Sequence, residues 1–244
     1  MKEYKNRLTN EEWSRHYNLQ ILQNVTKQIQ TGEVSVWSKE LLNITGEKEK
    51  VLEIGCGSGI SSLWLSKHNR KVTALDYSQS SVELLRNAAE ILGDDQICVV
   101  RADATQELPF QKKEFDIAFQ AGLLEHFSTE EQIGLLRLWK KYCKRMVSMI
   151  PNAASVPYQI GKKIQEKKGI WQYGLEIPKS SMRGEFVAAG ISVEREYSIG
   201  TEWALRFLPP NHYIRESYDR MLAEGYPLDE YMQGYLLVTV GVCN

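Results

Sequence analysis

Residues 51–59 read VLEIGCGSG, an apolar run that breaks into three glycines spaced two apart. Such a run is a buried strand that turns sharply, because glycine reaches left-handed dihedrals and puts no Cβ between the backbone and a ligand. The following segment, 60–68, reads as a helix whose N-terminus would face the same place and offer its free N–H groups to a bound molecule. A strand, a tight glycine turn and a helix in that order belong to parallel sheets wound with helices, so this one feature already restricts the fold class.

The rest of the chain keeps the same rhythm. Short apolar runs predict strands at 50–54, 71–75, 96–101, 115–119, 145–150, 191–197 and 235–242, and helical patterns lie between most of them. This spacing predicts an α/β fold with a Rossmann-like sheet of seven strands covered by helices on both faces. Ser80 and Glu83 predict a capping box at the start of a crossover helix that Gly93 ends, and Thr129 and Gln132 predict a second box. Trp13, Tyr17, Ile21 and Val25 recur every four residues and predict a helical N-terminal segment over 1–45 with these side chains on one stripe. Two stretches break the rhythm and are rich in Tyr, Trp, Gly and Pro; they are expected to be insertions on the sheet.

A chain of 244 residues suits one domain, and 30 basic against 31 acidic residues leave a net charge of -1, so no global field would attract a polyanion. No nucleic-acid partner is expected. The basic run GKKIQEKKG at 161–169 is interrupted by Glu166 and is expected to be a solvated helix face. Nothing approaches the roughly 18 apolar residues of a membrane span, so no membrane insertion and a cytoplasmic location are expected. Cys56, Cys98, Cys143 and Cys243 show neither CxxC nor His at ligand spacing. They are expected to be reduced thiols, and no metal site is expected.

A glycine turn alone is also used by dinucleotide enzymes, but their G-x-G-x-x-G pattern needs glycine where this chain has Ile60. Here an acidic residue, Glu53, precedes glycines 55, 57 and 59, and Asp76 ends the second strand seventeen residues after Gly59. RADATQELPF then supplies Asp103 and Ala104, and FDIAFQAGLLEHF closes the fourth strand. Over residues 50–150 this order resembles the class I S-adenosylmethionine-dependent methyltransferases, in particular the small-molecule type related to quinone-biosynthesis methyltransferases.

The resemblance implies S-adenosyl-L-methionine as cofactor, S-adenosyl-L-homocysteine as product and a last strand that runs antiparallel. It implies a cofactor set of Tyr17, Glu53, Gly55, Cys56, Gly57, Gly59, Asp76, Tyr77, Asp103, Ala104, Gln120 and Ala121. Asp76 would hold the ribose, Asp103 would lie by the adenine amino group, and Gln120 and Ala121 would flank the methionine part. Cys56 is expected to be a small filler rather than a nucleophile. Residues 1–45 would be a lid in which Trp13, His16 and Tyr17 close over the cofactor, since aromatic faces suit a sulfonium. Residues 46–150 would be the cofactor-binding core, and 151–190 and 200–230 substrate-side insertions of the same domain.

Methyl transfer from a sulfonium needs alignment and exclusion of water, with a general base only where the nucleophile must lose a proton. His126 is the candidate base, with a structural or substrate-positioning role as the alternative. Tyr158, Trp171, Tyr173, Glu176, Arg206, His212 and Tyr213 are the candidate substrate residues, apolar bodies with polar tips suited to a small-molecule pocket. Gln120-Ala121-Gly122 lacks the N/D-P-P-Y type sequence of nucleic-acid amino-methyltransferases, and no two-glutamate hairpin of the arginine-methylating kind follows strand four. A cofactor-binding module without turnover is the first rival expectation; a macromolecule methyltransferase and a nicotinamide-dependent oxidoreductase, disfavoured by Ile60, are the others.

Overall fold

Alternate residues of each strand point to opposite faces, so a sheet whose strands are apolar throughout must be covered on both sides. The computed structural model, which describes residues 6–228 and 232–244, has this organisation. Three N-terminal helices, α1 (Asn10–Ser14), α2 (Leu19–Thr31) and α3 (Val36–Ile44), precede β1 (Lys50–Ile54), α4 (Ile60–Lys67), β2 (Lys71–Asp76), α5 (Gln79–Leu92) and β3 (Cys98–Arg101). Then follow β4 (Phe115–Ala121), a 3₁₀ turn (Leu124–His126), α6 (Thr129–Trp139), β5 (Cys143–Pro151), α7 (Val156–Lys168) and α8 (Arg183–Ala188). The chain continues through β6 (Ile191–Ile199), α9 (Thr201–Ala204), a second 3₁₀ turn (Leu205–Phe207), α10 (Tyr213–Ala223) and β7 (Leu236–Cys243).

The seven strands lie in the order β3-β2-β1-β4-β5-β7-β6. β7 runs antiparallel to both of its neighbours, and the β1–β2, β1–β4, β2–β3 and β4–β5 pairs are parallel. The fold is therefore the expected Rossmann-like α/β sheet. On one face Leu52, Ile54, Leu75 and Ala118 pack with Trp139 of α6 and Phe186 of α8. On the other, Val51, Val72, Ile117 and Phe119 pack with Leu41 of α3 and Leu65 of α4. Val25 and Ile29 of α2 meet Leu63 and Leu85 beside Ala74, which fixes the N-terminal helices against the same face as α4 and α5.

Several local expectations shift. The helix α5 starts at Gln79 with Ser78 as N-cap, so Ser80 lies inside its first turn and the Ser80–Glu83 box does not form. The second box forms one residue earlier than expected: Ser128 accepts from Glu131 N–H and Glu131 from Ser128 N–H. Thr129 instead accepts from Lys179 Nζ at 2.7 Å. The stripe Trp13–Val25 is broken because Asn18 caps a new helix, leaving Trp13 and Tyr17 on a separate, turned segment. The run at 161–169 is not wholly solvated, since Lys162 is buried. Two ends of the expected segments, residues 1–5 and 229–230, lie outside the described residues.

Candidate functional site

The parallel strands β1, β2 and β4 end on the same edge, and their loops enclose a cavity of about 450 Å³. Topology puts it there: β1 connects outward to β2 on one side while β4 lies on the other, so the loops at their carboxyl ends diverge and leave a crevice.

The glycine turn forms its floor. Gly55 and Cys56 donate their N–H groups to the Leu75 carbonyl at 2.8 and 2.9 Å, binding the turn to the end of β2. Gly57 N–H donates to Asp76 Oδ2 at 2.9 Å, and Ser78 N–H to Asp76 Oδ1 at 2.9 Å, so the carboxylate is fixed by two backbone bonds and retains lone pairs for a ligand. Gly59 has φ +70°, and a Cβ there would come within 2.4 Å of Leu85, so both the dihedral and the close helix contact require glycine. As N-cap of α4 it supplies no side-chain cap bond, which leaves the first-turn N–H groups unclaimed by a side chain while Ile60 and Ser61 line the cavity.

Three acids line the cavity, Glu53, Asp76 and Asp103. Burial pushes the Glu53 carboxyl up to about 8, against the opposing effect of its hydrogen bond from Ser62. Burial also raises Asp76, opposed by the N–H groups of Ser78 and Gly57. Asp103 lies at an exposed edge, where Oδ1 accepts from the N–H and hydroxyl of Thr105. Trp139 Nε1 donates to the Ala104 carbonyl at 2.7 Å and so ties this turn to α6. Cys56 is buried, and burial pushes its thiol well up, away from the thiolate form that a nucleophile needs.

The N-terminal segment covers the cavity. Trp13 and Tyr17 line it, and a Cβ on Gly57 would lie 3.3 Å from the Tyr17 hydroxyl. Ser14 Oγ lies 3.1 Å from Ser78 Oγ, joining α1 to the end of β2. His16 is set back from the cavity and stacks on Tyr173 with ring centroids 6.3 Å apart. Arg7 is the one lysine or arginine among the cavity residues, and it is already paired with Glu131 and laid over the Phe127 ring at 4.3 Å.

Of the twelve expected cofactor residues, ten line the cavity: Tyr17, Glu53, Gly55, Cys56, Gly57, Asp76, Tyr77, Asp103, Ala104 and Ala121. Gly59 does not line the cavity; it is the N-cap of α4. Gln120 does not face the cavity; its Nε2 donates to Ser148 Oγ at 2.7 Å and its Oε1 accepts from the N–H groups of Leu123 and Leu124. Neighbours on a strand point to opposite faces, so Gln120 and Ala121 cannot both flank one ligand. Gln120 instead caps the turn that carries His126. Leu8, Trp37, Thr105, Leu123 and Phe127 line the cavity and were not expected. Leu123 and Phe127 flank a motif already singled out, whereas Leu8 and Trp37 carry no sequence signal of this role.

His126 lines the cavity, packed edge-on against Trp13 at 5.3 Å. Its Nδ1 is 2.6 Å from the Leu175 carbonyl. A carbonyl only accepts, so Nδ1 carries the proton and Nε2 is left as an acceptor. Burial lowers its basicity, the carbonyls of Leu175 and Gly122 oppose that, and Lys162 and Arg7 add to the lowering. The imidazole is therefore neutral at pH 7.

None of the seven candidate substrate residues lines the cavity. Tyr158 and Glu176 are hydrogen-bonded to each other, and Trp171 donates Nε1–H to the Gly174 carbonyl at 3.1 Å. Tyr173 is exposed apart from its contacts with His16 and Trp171. Arg206 lies over Trp203 at 3.9 Å, His212 caps α10, and Tyr213 stacks on His212 in solvent. Aromatic composition marked loops that pack against one another, which sequence does not separate from loops that line a cavity. No group of three or more metal-ligating side chains occurs among the described residues.

A family model described as "Methyltransferase domain" matches residues 51–145. Residues 51–145 are thus similar to a methyltransferase domain. Among curated proteins it is 38% identical over 68 residues to the demethylmenaquinone methyltransferase of Clavibacter sepedonicus, covering 28% of this chain and 26% of that protein. It is 33% identical over 111 residues to an S-adenosyl-L-methionine-dependent Diels-Alderase of Talaromyces variabilis, covering 43% and 38%. These alignments span well under half of either relative. The geranyl diphosphate C-methyltransferase of Streptomyces coelicolor, solved with S-adenosyl-L-homocysteine, shares the fold at a TM-score of 0.59, with 14% identity over 85% of this chain and 78% of that one.

Proposed function

We propose that this chain transfers the methyl group of S-adenosyl-L-methionine to an O, N or C nucleophile of a small molecule and releases S-adenosyl-L-homocysteine. The observation that carries this reading is the composition of the cavity wall: three carboxylates and several aromatic rings, with its one arginine engaged by Glu131. That wall suits a ligand with two cationic centres, a ribose diol and an adenine amino group. It is a poor match for the pyrophosphate of a dinucleotide.

The bound cofactor would supply the electrophilic methyl group. Asp76 would accept from the ribose hydroxyls, Asp103 would lie at the adenine edge, and Glu53 with the Gly55–Gly57 backbone would receive the amino-acid end. Trp13, Tyr17 and Trp37 exclude water, and water exclusion with alignment is most of what an in-line displacement asks for. His126, neutral with Nε2 unprotonated, would take the proton where the acceptor is a hydroxyl or an ammonium. The near-balanced net charge supports a small molecule over a nucleic acid. No helix among the described residues is long and apolar enough to cross a membrane.

Incubation with S-adenosyl-L-methionine and a panel of phenols, catechols, carboxylates and amines, read by S-adenosyl-L-homocysteine formation, tests the proposal. Formation with one acceptor, lost in Asp76→Ala, supports it. The Diels-Alderase relative favours a second reading, in which the cofactor is bound but its methyl group is not transferred. Tight binding with no S-adenosyl-L-homocysteine formed from any acceptor would favour that reading.

A further inference from the structure

Residues 171–177, between α7 and α8, cross the outside of the turn that carries His126. Two bonds join them: His126 Nδ1 to the Leu175 carbonyl at 2.6 Å, and Ile177 N–H to the Glu125 carbonyl at 2.7 Å. Between these bonds, Glu176 reaches back to α7. Its carboxylate accepts from the Tyr158 hydroxyl and lies 3.5 Å from Lys162 Nζ. Lys162 in turn sits 4.1 Å over the Trp171 ring, and Trp171 is bonded to Gly174. The same strap holds the N-terminal cover, since Leu175 N–H donates to the Asn6 carbonyl at 2.9 Å.

We infer that Glu176, held by Tyr158 and Lys162, is a positioning residue that sets the tautomer and orientation of His126 through the Leu175 carbonyl. This rests on the reading of the cavity as a methyl-transfer site. A buried ion pair contributes little net stability, because desolvation offsets attraction, so its value lies in the geometry it fixes. Glu176 and Lys162 side chains are only 5% and 10% exposed, so water cannot substitute for either partner. The other groups facing Glu176 are Glu125, Glu166 and the hydroxyls of Tyr173 and Tyr235. Burial, with the Glu176 charge second, pushes the Glu125 carboxyl well up, and its Oε2 has no hydrogen-bond partner among the described residues. Burial raises Glu176 too, opposed by Lys162 and the Tyr158 hydroxyl; Lys162 lies 3.5 Å from both Glu166 and Glu176, and of the two Glu176 is the one adjacent in the chain to Leu175.

The test is long-range 1H–15N NMR of the full chain labelled at histidine, with His126→Gln identifying the His126 signals. In the parent, His126 shows a proton on Nδ1 and titrates below the ordinary value of about 6.5. Glu176→Ala and Tyr158→Phe are expected to give mixed tautomers and a titration moved further below that value, because the Leu175 carbonyl that favours the protonated ring is released and, in Glu176→Ala, the Lys162 charge is left unbalanced. Glu176→Gln, which keeps an acceptor for Tyr158, restores most of the parental pattern. Unchanged His126 signals in both of the first two variants, or a parental proton on Nε2, would overturn the inference. If Glu176→Ala does not fold, Tyr158→Phe, which loses one hydroxyl, decides. Titration of the same samples with S-adenosyl-L-methionine separates the two claims. A parent that does not bind it defeats the methyl-transfer reading, whereas binding with unmoved histidine signals defeats this inference alone.

Discussion

Glu53 offers a quantitative test of how the cavity meets a cationic ligand. Burial holds its carboxyl at about 8 against an ordinary 4.5, so in the free protein it is about nine-tenths protonated at pH 7. That displacement corresponds to about 5 kcal/mol of preference for the neutral form, at ~1.36 kcal/mol per pH unit. A sulfonium and an ammonium brought beside it favour the carboxylate, so binding should release up to about one proton from Glu53 at pH 7 and tighten about tenfold per pH unit from 6 to 7, the slope falling to about half by pH 8. Calorimetry in two buffers of different ionisation enthalpy measures that release. The ligand's own amino group titrates nearby, so the quantity to compare is parent minus Glu53→Gln. The sign for folding is the reverse: the native state holds a proton that the unfolded chain has lost, so this group costs stability as pH rises from 4.5 to 8 and no further above it. Equal proton release in parent and Glu53→Gln would refute the reasoning, because it would mean that no charge develops on Glu53.

Asp76→Ala should weaken S-adenosyl-L-methionine binding by about 1.5–3 kcal/mol, tenfold or more, and affinity equal to the parent in calorimetry would remove Asp76 from the ribose site. Gly59→Ala combines a left-handed dihedral with a Cβ 2.4 Å from Leu85; urea unfolding should show a loss of about 2–4 kcal/mol, and a loss under 1 kcal/mol would contradict the close contact. His126→Gln should lower turnover on a hydroxyl or ammonium acceptor with cofactor affinity kept, and unchanged turnover removes it as a base. The parent should lose stability as pH falls below about 6.5, because the unfolded chain takes up a proton that buried His126 refuses; His126→Gln should lessen that slope in acid melts.

The central sheet was legible because its signals are local. Strand β1 begins and ends where its apolar run does, and Gly93 ends α5 with φ +68° as a C-cap glycine should. Cap positions slipped by one or two residues because Ser78, Ser80 and Ser81 look alike in sequence, and only Asp76 holding the Ser78 N–H distinguishes the first. Glu53, Asp76 and Asp103 were legible because strand ends and glycines fix them relative to the crevice. The substrate side was not. Tyr158, Trp171 and Glu176 have the composition of a pocket, yet their partners are each other and Lys162, and Leu175 meets His126 across 49 residues of sequence. Such pairing depends on how α7 and residues 171–177 fold back over the sheet, for which no periodicity gives a sign. Gln120 is a different case: strand parity alone would have turned it away from Ala121.

The most direct test of the account is calorimetric titration of the protein with S-adenosyl-L-methionine, S-adenosyl-L-homocysteine and NADH. The acidic, aromatic cavity predicts micromolar binding of both adenosyl compounds and none of NADH. Preference for NADH, or no binding of either adenosyl compound, would contradict the assignment of the crevice at the ends of β1, β2 and β4.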